Sequence, residues 1–387
     1  MRPFALRFPA AASLRALAVG LTLAAVAGPA AVAGPAAAQG KPDLAIAVAG
    51  PMTGPVASIG DQLKRGAQAA ARQINEAGGV DGRQIKIVFE DDQCDPKQAV
   101  TVANRIVADT IRFVDGHACS GSSIPASSVY NDNSVLMISP ASSAPALTDK
   151  GFPTIMRVYP RDDAQASFIA PWIAKTYQGK KVAVMHDKSA YGRGLATIVR
   201  DKLTAAGLKP VLFDGLNPGE KDYTTIVSKL KSMGVDLVYF GGYHTETALL
   251  SRQARDQGYK LNIATADALA TPEFWAIAGD TGEGTVFTFA ADPRRNAAAA
   301  KAIDAFKAQG FEPEGFTLFS YAVIQTIAEG VKRAGSDDPR KVAAALKSGG
   351  PVETIVGPLK FDEKGDVVEP RFDLNQWHEG KYAPLAQ

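Results

Sequence analysis

Two clusters of hydroxyls concentrate the polar chemistry of this chain. Gly116-His117-Ala118-Cys119-Ser120-Gly121-Ser122-Ser123 follows a β-rich run, Ile111–Val114, and leads into a helical stretch. Ser139-Pro140-Ala141-Ser142-Ser143-Ala144-Pro145 follows a second such run, Val135–Ile138. Hydroxyls and unpaired backbone N–H groups at a helix start suit the capture of a carboxylate. The same residue types also cap helices and form turns, so both readings stay open at this level. Tyr191, in Lys188-Ser189-Ala190-Tyr191-Gly192, and Tyr243, in Gly241-Gly242-Tyr243-His244, occupy matching places further along. Loop tyrosines are common, and neither is diagnostic alone.

Catalytic patterns are scarce. Gly192-Arg193-Gly194 resembles the opening of a nucleotide-binding G-x-G-x-x-G, but Thr197 stands at the sixth position. A loop from His186 to Tyr191 also separates these glycines from the preceding strand, where the fingerprint needs them in the strand-to-helix turn. Ser120 lacks the glycine two residues earlier that a nucleophile elbow requires. His117, His186, His244 and His378 are scattered, with no H-x-x-x-H or Cys-x-x-Cys pairing. The expectation is a protein that is not an enzyme and holds no cofactor or metal.

The elements that must position the hydroxyls alternate regularly. Strand-like runs at Leu44–Val48, Ile85–Phe89, Ile111–Val114 and Val135–Ile138 form one set. Val182–Met185, Val211–Phe213, Leu237–Phe240 and Val286–Phe289 form another. Amphipathic stretches such as Gln62–Ala77, Lys97–Ala108, Ala164–Tyr177 and Thr225–Met233 lie between them. Repeated strand–helix alternation predicts parallel sheets covered by helices, and runs without a polar face fit strands buried on both sides. Helical stretches Phe316–Ala334 and Pro339–Lys347 follow, then a strand-and-turn tail through Leu359–Phe361, Glu363–Asp366 and Phe372–Leu374. The reading is an α/β fold of two doubly wound parallel-sheet lobes. Such sheets bind ligands outside the carboxyl ends of their strands, so two facing lobes make a cleft.

The first forty residues set the compartment. Arg2, Arg7 and Arg15 precede an apolar stretch from Ala16 to Ala27, and Ala36-Ala37-Ala38 follows. A basic start, a short apolar run and a small-residue site read as a signal peptide, 1–38, cleaved near Ala38/Gln39 for export to the periplasm. The apolar run is shorter than the ~20 residues of a membrane span, so no direct membrane insertion is expected. The formal charge of the 387-residue chain is +2, and loss of the three arginines leaves −1. With no basic patch, a nucleic-acid partner has no electrostatic support. Cys94 and Cys119 are the only cysteines. In an exported chain they suggest one disulfide, with two buried free thiols as the alternative.

The residues also match a known pattern. The chain resembles the leucine/isoleucine/valine-binding protein family of bacterial ABC importers from Leu44 to about Trp377. Gly50-Pro51-Met52-Thr53-Gly54-Pro55, Asp91-Asp92-Gln93-Cys94-Asp95-Pro96-Lys97-Gln98-Ala99, both hydroxyl clusters, both tyrosine segments and Gly357-Pro358-Leu359 carry the resemblance. It implies a type I periplasmic binding fold with three hinge crossings. Lobe 1 would hold 41–161 and 292–370, and lobe 2 would hold 162–291 and 371–387. It further implies a Cys94–Cys119 disulfide, an amino-acid ligand, importer membrane subunits as partners, and a monomer. By position, Ser120 and Ser143 would hold the ligand's α-carboxylate. The Ala141 carbonyl, the Ser143 hydroxyl and Asp267 would meet its ammonium. Cys119, Ala118, Tyr191, Tyr243 and Phe316 would line the side-chain pocket.

Four positions depart from the family's habit. Ile59 replaces an aromatic, Ala118 a leucine-sized residue, Ser143 a threonine and Asp267 a glutamate. The last two keep the polar chemistry, and the first two reshape the pocket. A same-fold receptor for an aromatic carboxylate, an amide or urea-type solute, or a sensory receptor, is the alternative. Asp267 separates these, because a plain carboxylate ligand gains nothing from an anion beside it.

Overall fold

Apolar β-branched runs separated by capped amphipathic helices give the chain its layers. A computed structural model describes residues 42–385. The basic and apolar start and its cleavage site lie outside those residues. The first lobe is built from β1 (Leu44–Gly50), α1 (Ala57–Glu76), β2 (Ile85–Asp91), α2 (Pro96–Ala108), β3 (Phe113–Gly116), α3 (Ser120–Asp132), β4 (Leu136–Ser139) and β5 (Ile155–Arg157). Its sheet is parallel, in the order β2-β1-β3-β4-β5.

The second lobe continues with α4 (Asp162–Thr176), β6 (Val182–His186), α5 (Ala190–Ala205), β7 (Leu212–Gly215) and α6 (Thr224–Met233). It is completed by β8 (Leu237–Gly241), α7 (His244–Asp256), β9 (Asn262–Thr265), α8 (Pro272–Ala278) and β10 (Val286–Ala290). Then come α9 (Ala300–Lys307), α10 (Thr317–Ala334), α11 (Pro339–Ser348), the hairpin β11 (Val352–Thr354) and β12 (Gly357–Leu359), and finally β13 (Phe372–His378) and β14 (Lys381–Pro384). Helix α10 packs on α1, β3 and β4, which returns the chain to the first lobe. Strand β13 then pairs with β10 in the second. The chain therefore passes between the sheets three times.

The second sheet runs β14-β13-β10-β9-β8-β6-β7, and its last two strands are antiparallel. The parallel-sheet reading holds for both lobes, and β13 and β14 add an antiparallel edge to the second. Glu379 and Gly380, both at positive φ, form the two-residue turn joining β13 to β14. Two left-handed central residues make a primed turn that matches strand twist, so a direct hairpin closes the edge. Burial elsewhere follows the runs. Every residue of β4, β6, β8 and β10 is buried. Each fully buried Val, Leu or Ile contributes roughly 1.5–3 kcal/mol.

Four element starts differ from the sequence reading, three of them for identifiable physical reasons. Ile111, Val135 and Val211 were expected to open strands, yet β3 starts at Phe113, β4 at Leu136 and β7 at Leu212. The Ile111 N–H donates to Ile106 O (3.1 Å) and the Val135 N–H to Tyr130 O (2.9 Å). These apolar residues seal the carboxyl ends of α2 and α3, where a hydrophobic residue just past the helix is favoured. Helix α1 begins at Ala57 rather than Gln62, so Ile59 lies in its first turn instead of a loop. Gly60 reads as a helix breaker, but a Cβ there would sit 2.1 Å from Pro51 O, so only glycine lets the turn press on the preceding loop.

A disulfide joins Cys94, in the loop after β2, to Cys119, the residue capping α3, across 25 positions of sequence. It ties the first hydroxyl cluster to the neighbouring strand's loop. Non-reducing mass spectrometry of the purified protein should show no free thiol. Replacing both cysteines by serine should lower stability by about 3 kcal/mol in chemical denaturation. Quantitative maleimide labelling of the untreated protein would contradict the bridge.

Candidate ligand-binding cleft

Every site element sits at the carboxyl end of a parallel strand. Ser120 follows β3, Ser143 follows β4, Tyr191 follows β6, Tyr243 follows β8 and Asp267 follows β9. One cavity of about 270 Å³ is lined by Ile59, Ala118, Ser120, Ala141 and Ser143 of the first lobe. Tyr191, Tyr243, Asp267 and Ala268 of the second line it as well, with Phe316 just before α10. Of the residues named from sequence only Cys119 is not on this wall. Its side chain is held in the disulfide and its carbonyl accepts from the Ser122 and Ser123 N–H groups. Ala268 was not anticipated; nothing but its place beside Asp267 could have marked it.

The serines divide into two kinds. Ser123, Ser139 and Ser142 all donate to the His117 carbonyl, at 3.1, 2.7 and 3.1 Å. Those three are scaffold, binding the two loops together. His117 is itself buried, with Nδ1 2.6 Å from Asp92 Oδ2 and Nε2 2.9 Å from the Tyr130 hydroxyl. The Ser120 hydroxyl accepts from the Ala144 N–H at 3.2 Å, and its own N–H opens α3, where no helical carbonyl precedes it. The Ser143 hydroxyl is buried, and among the described residues it makes no close hydrogen bond beyond its interaction with the Asp162 carboxyl. Its N–H finds no backbone acceptor there either. A buried polar group left unpaired costs roughly 1–3 kcal/mol, so a ligand acceptor facing the Ser143 N–H is favoured.

Opposite stands the charge. Asp267 is 2% exposed, and the Tyr191 hydroxyl donates to its Oδ1 at 2.5 Å. No basic side chain lines the cavity. Burial pushes the Asp267 carboxyl up to about 6, against a partial opposing effect of the Tyr191 hydrogen bond. Asp162, the first residue of α4, was missed from sequence. It is fully buried, and an interaction with the Ser143 side chain offsets only part of the cost of burial. Burial, and then the charge of Asp267, hold it well above the usual carboxylate range. The charge of Asp267 thus disfavours a second carboxylate at Asp162.

Contacts across the cleft hold the lobes together. Gln62 of α1 donates to Ala270 O at 3.0 Å while its Oε1 accepts from the Phe316 N–H at 2.9 Å. The Thr245 hydroxyl donates to Pro55 O at 3.0 Å, and the Tyr243 hydroxyl lies 3.6 Å from Cys94 Sγ. Of the two glycines in the Gly192-Arg193-Gly194 run, only Gly192 has a packing role. A Cβ on Gly192 would lie 2.3 Å from Gly241 O, so the residue lets α5 approach β8.

Two open α/β sheets, joined by three crossings and enclosing a small polar-and-apolar cavity between their strand ends, define a bilobal solute-binding protein. The chain belongs to the periplasmic binding protein family, whose profile matches residues 43–381, and within it to the Leu/Ile/Val-binding proteins. This is a family of binding proteins, not of enzymes. The chain is 44% identical to a Leu/Ile/Val-binding protein homolog of Brucella melitensis, covering 89% of this chain and 94% of that one. It is 46% identical to the leucine-, isoleucine-, valine-, threonine- and alanine-binding protein of Pseudomonas aeruginosa, covering 87% and 90%. The branched-chain amino acid transporter substrate-binding protein of Streptococcus pneumoniae, solved with isoleucine, superposes with a TM-score of 0.80 at 25% identity, covering 88% and 97%.

Asp267 gives the empty protein a defined pH response. Its folded carboxyl titrates near 6, above the unfolded 3.8, so the folded state holds the proton more tightly. Its burden of about 3 kcal/mol is therefore full above pH 7 and is relieved as pH falls through 6 toward 4. Asp267→Asn should raise the unfolding free energy of ligand-free protein at pH 8 and converge on the parent by pH 4. A gap that grows on acidification would show the carboxyl is not raised.

Proposed function

We propose that this protein captures a branched-chain or other apolar amino acid between its lobes and presents it to the membrane subunits of an ABC importer. The observation that carries the reading is the polarity of the cavity. It has one carboxylate without a cation on one side, and on the other the Ser120 and Ser143 hydroxyls and a Ser143 N–H with no backbone acceptor. A buried charge costs several kcal/mol unless paired, and an α-amino acid supplies both missing charges at the right spacing. The ammonium then sits between Asp267, the Ala141 carbonyl and the Ser143 hydroxyl. The α-carboxylate takes the Ser143 N–H, the Ser120 hydroxyl and the amino end of α3. Ile59, Ala118, Tyr191, Tyr243 and Phe316 surround an apolar side chain.

The lobes hinge near residues 161, 291 and 370 in this reading, and residues 1–38 direct export and are removed. Ligand contacts to both lobes shift the population toward the closed shape, which the importer recognises. The identified binding partners of the relatives support the ligand class. The Pseudomonas aeruginosa protein is described as binding leucine, isoleucine, valine, threonine and alanine, and the Streptococcus pneumoniae structure holds isoleucine. An anion such as benzoate would face Asp267 with like charge, which disfavours the carboxylate-receptor alternative.

Calorimetry on refolded, ligand-stripped protein should show leucine binding in the micromolar range, about 8 kcal/mol. Asp267→Ala should cost about 2–5 kcal/mol, because the ligand's ammonium is then buried unpaired. Undiminished leucine binding by Asp267→Ala would remove the zwitterion reading.

Pocket size makes a separate test. Ile59 and Ala118 are smaller than the side chains the family usually places there, and each added buried methylene gains about 0.8 kcal/mol. Phenylalanine should therefore bind as well as leucine, isoleucine and valine, and Ile59→Tyr should shift preference toward valine. A parent that binds leucine but not millimolar phenylalanine would show that Phe316 and Tyr243 already fill the added space.

A further inference from the structure

Arg157, in β5, does not line the cavity, and its guanidinium is fully buried behind the second hydroxyl cluster. Nη1 donates to Ser142 O at 2.8 Å, and Nη2 donates to Ala144 O at 3.0 Å and to the Thr148 hydroxyl at 2.8 Å. Its Nε lies 2.7 Å from Asp366 Oδ1. The Asp162 N–H takes the carbonyl in between, Ser143 O, at 2.9 Å. Three successive carbonyls, 142 to 144, are thus drawn toward the scaffold.

The planar trans peptide turns this into an orientation. The C=O of one residue and the N–H of the next point in opposite directions. Fixing Ser142 O on Arg157 therefore aims the Ser143 N–H away from the guanidinium, to the side where Ser143 meets the cavity. Fixing Ser143 O on the Asp162 N–H likewise aims the Ala144 N–H at the Ser120 hydroxyl, where it is found at 3.2 Å. A buried ion pair is weak evidence for stability by itself, since an apolar replacement is often neutral. Here the charge also does geometric work, because a planar guanidinium can hold two carbonyls flanking one residue and a single amine cannot.

We infer that Arg157 is a positioning residue for ligand recognition: by clamping the Ser142 and Ala144 carbonyls it aims the Ser143 N–H at the ligand's carboxylate. This rests on the amino-acid reading of the cavity and adds the residue that sets its carboxylate face.

The test compares leucine with leucinamide, which keeps the ammonium and side chain but has no carboxylate. Arg157→Met is combined with Asp366→Asn so that no carboxylate is left buried alone. In this variant leucine affinity should fall about 100-fold, the scale of a misplaced binding group, while leucinamide affinity changes by less than about threefold. The preference for leucine collapses. An equal loss for both ligands would mean a merely structural role and overturn the inference, as would an unchanged preference.

If the double variant does not fold, Arg157→Lys decides. It reaches one carbonyl, so the leucine preference should fall about tenfold, and an unchanged preference overturns the role. If the parent binds neither ligand, the receptor reading fails instead. The positioning is then read without ligand by hydrogen exchange of the Ser142 and Ala144 amides. These should exchange faster in Arg157→Lys, and unchanged exchange overturns the inference.

Discussion

A carboxylate sealed between two lobes without a cation is the constraint on which this structure turns. Asp267 is buried, accepts a hydrogen bond from Tyr191, and shares its surroundings with a second buried acid, Asp162. Nothing in the cavity wall neutralises it. A fold keeps such a liability only where a ligand relieves it, since an unpaired buried charge costs several kcal/mol. The closed lobes and their bridging contacts through Gln62 and Thr245 make sense on the same terms. Closure excludes water, which strengthens the attraction for a cation only once the cation is present.

The opposite wall shows how backbone chemistry is made directional. Ser123, Ser139 and Ser142 converge on the His117 carbonyl and lock the loops after β3 and β4 to each other. The disulfide fixes the first loop from outside. Arg157 and the Asp162 N–H take the carbonyls of the second. What remains free is what points into the cavity: the Ser143 N–H and the start of α3. Most of the hydroxyls in these clusters therefore never touch a ligand. They determine where the few that do are aimed.

Much of this was legible beforehand, and the gaps have identifiable causes. Runs such as Val182–Met185 and Leu237–Phe240 place their strands because burial on both faces demands unbroken apolar sequence. The order of the hydroxyl and tyrosine segments, and their resemblance to a known family, led to nine of the ten residues that line the cavity. Strand starts were misjudged at Ile111 and Val135 because an apolar residue that seals a helix end looks locally like the start of a strand. The start of α1 lies five residues before Gln62, where Gly60 lets the first turn press on Pro51. Asp162 and Asp163 look alike in sequence, as paired acids opening a helix. Only the tertiary fold makes the first fully buried and leaves the second partly exposed. Arg157 carries no local signal, since its partners lie up to 209 residues away at Asp366. The antiparallel edge depends on the route of the last crossing, which no short pattern encodes.

Proton linkage of binding tests the central claim most directly. An ammonium placed beside Asp267 favours its ionised form, so the carboxyl that titrates near 6 in the empty cleft must give up its proton on binding. Leucine titrations in buffers of different ionisation enthalpy count the protons exchanged. The account predicts a release of about half a proton per leucine at pH 6, falling to near zero at pH 8, and no release at either pH in Asp267→Asn. Proton uptake at pH 6, or a release that persists in Asp267→Asn, would contradict it.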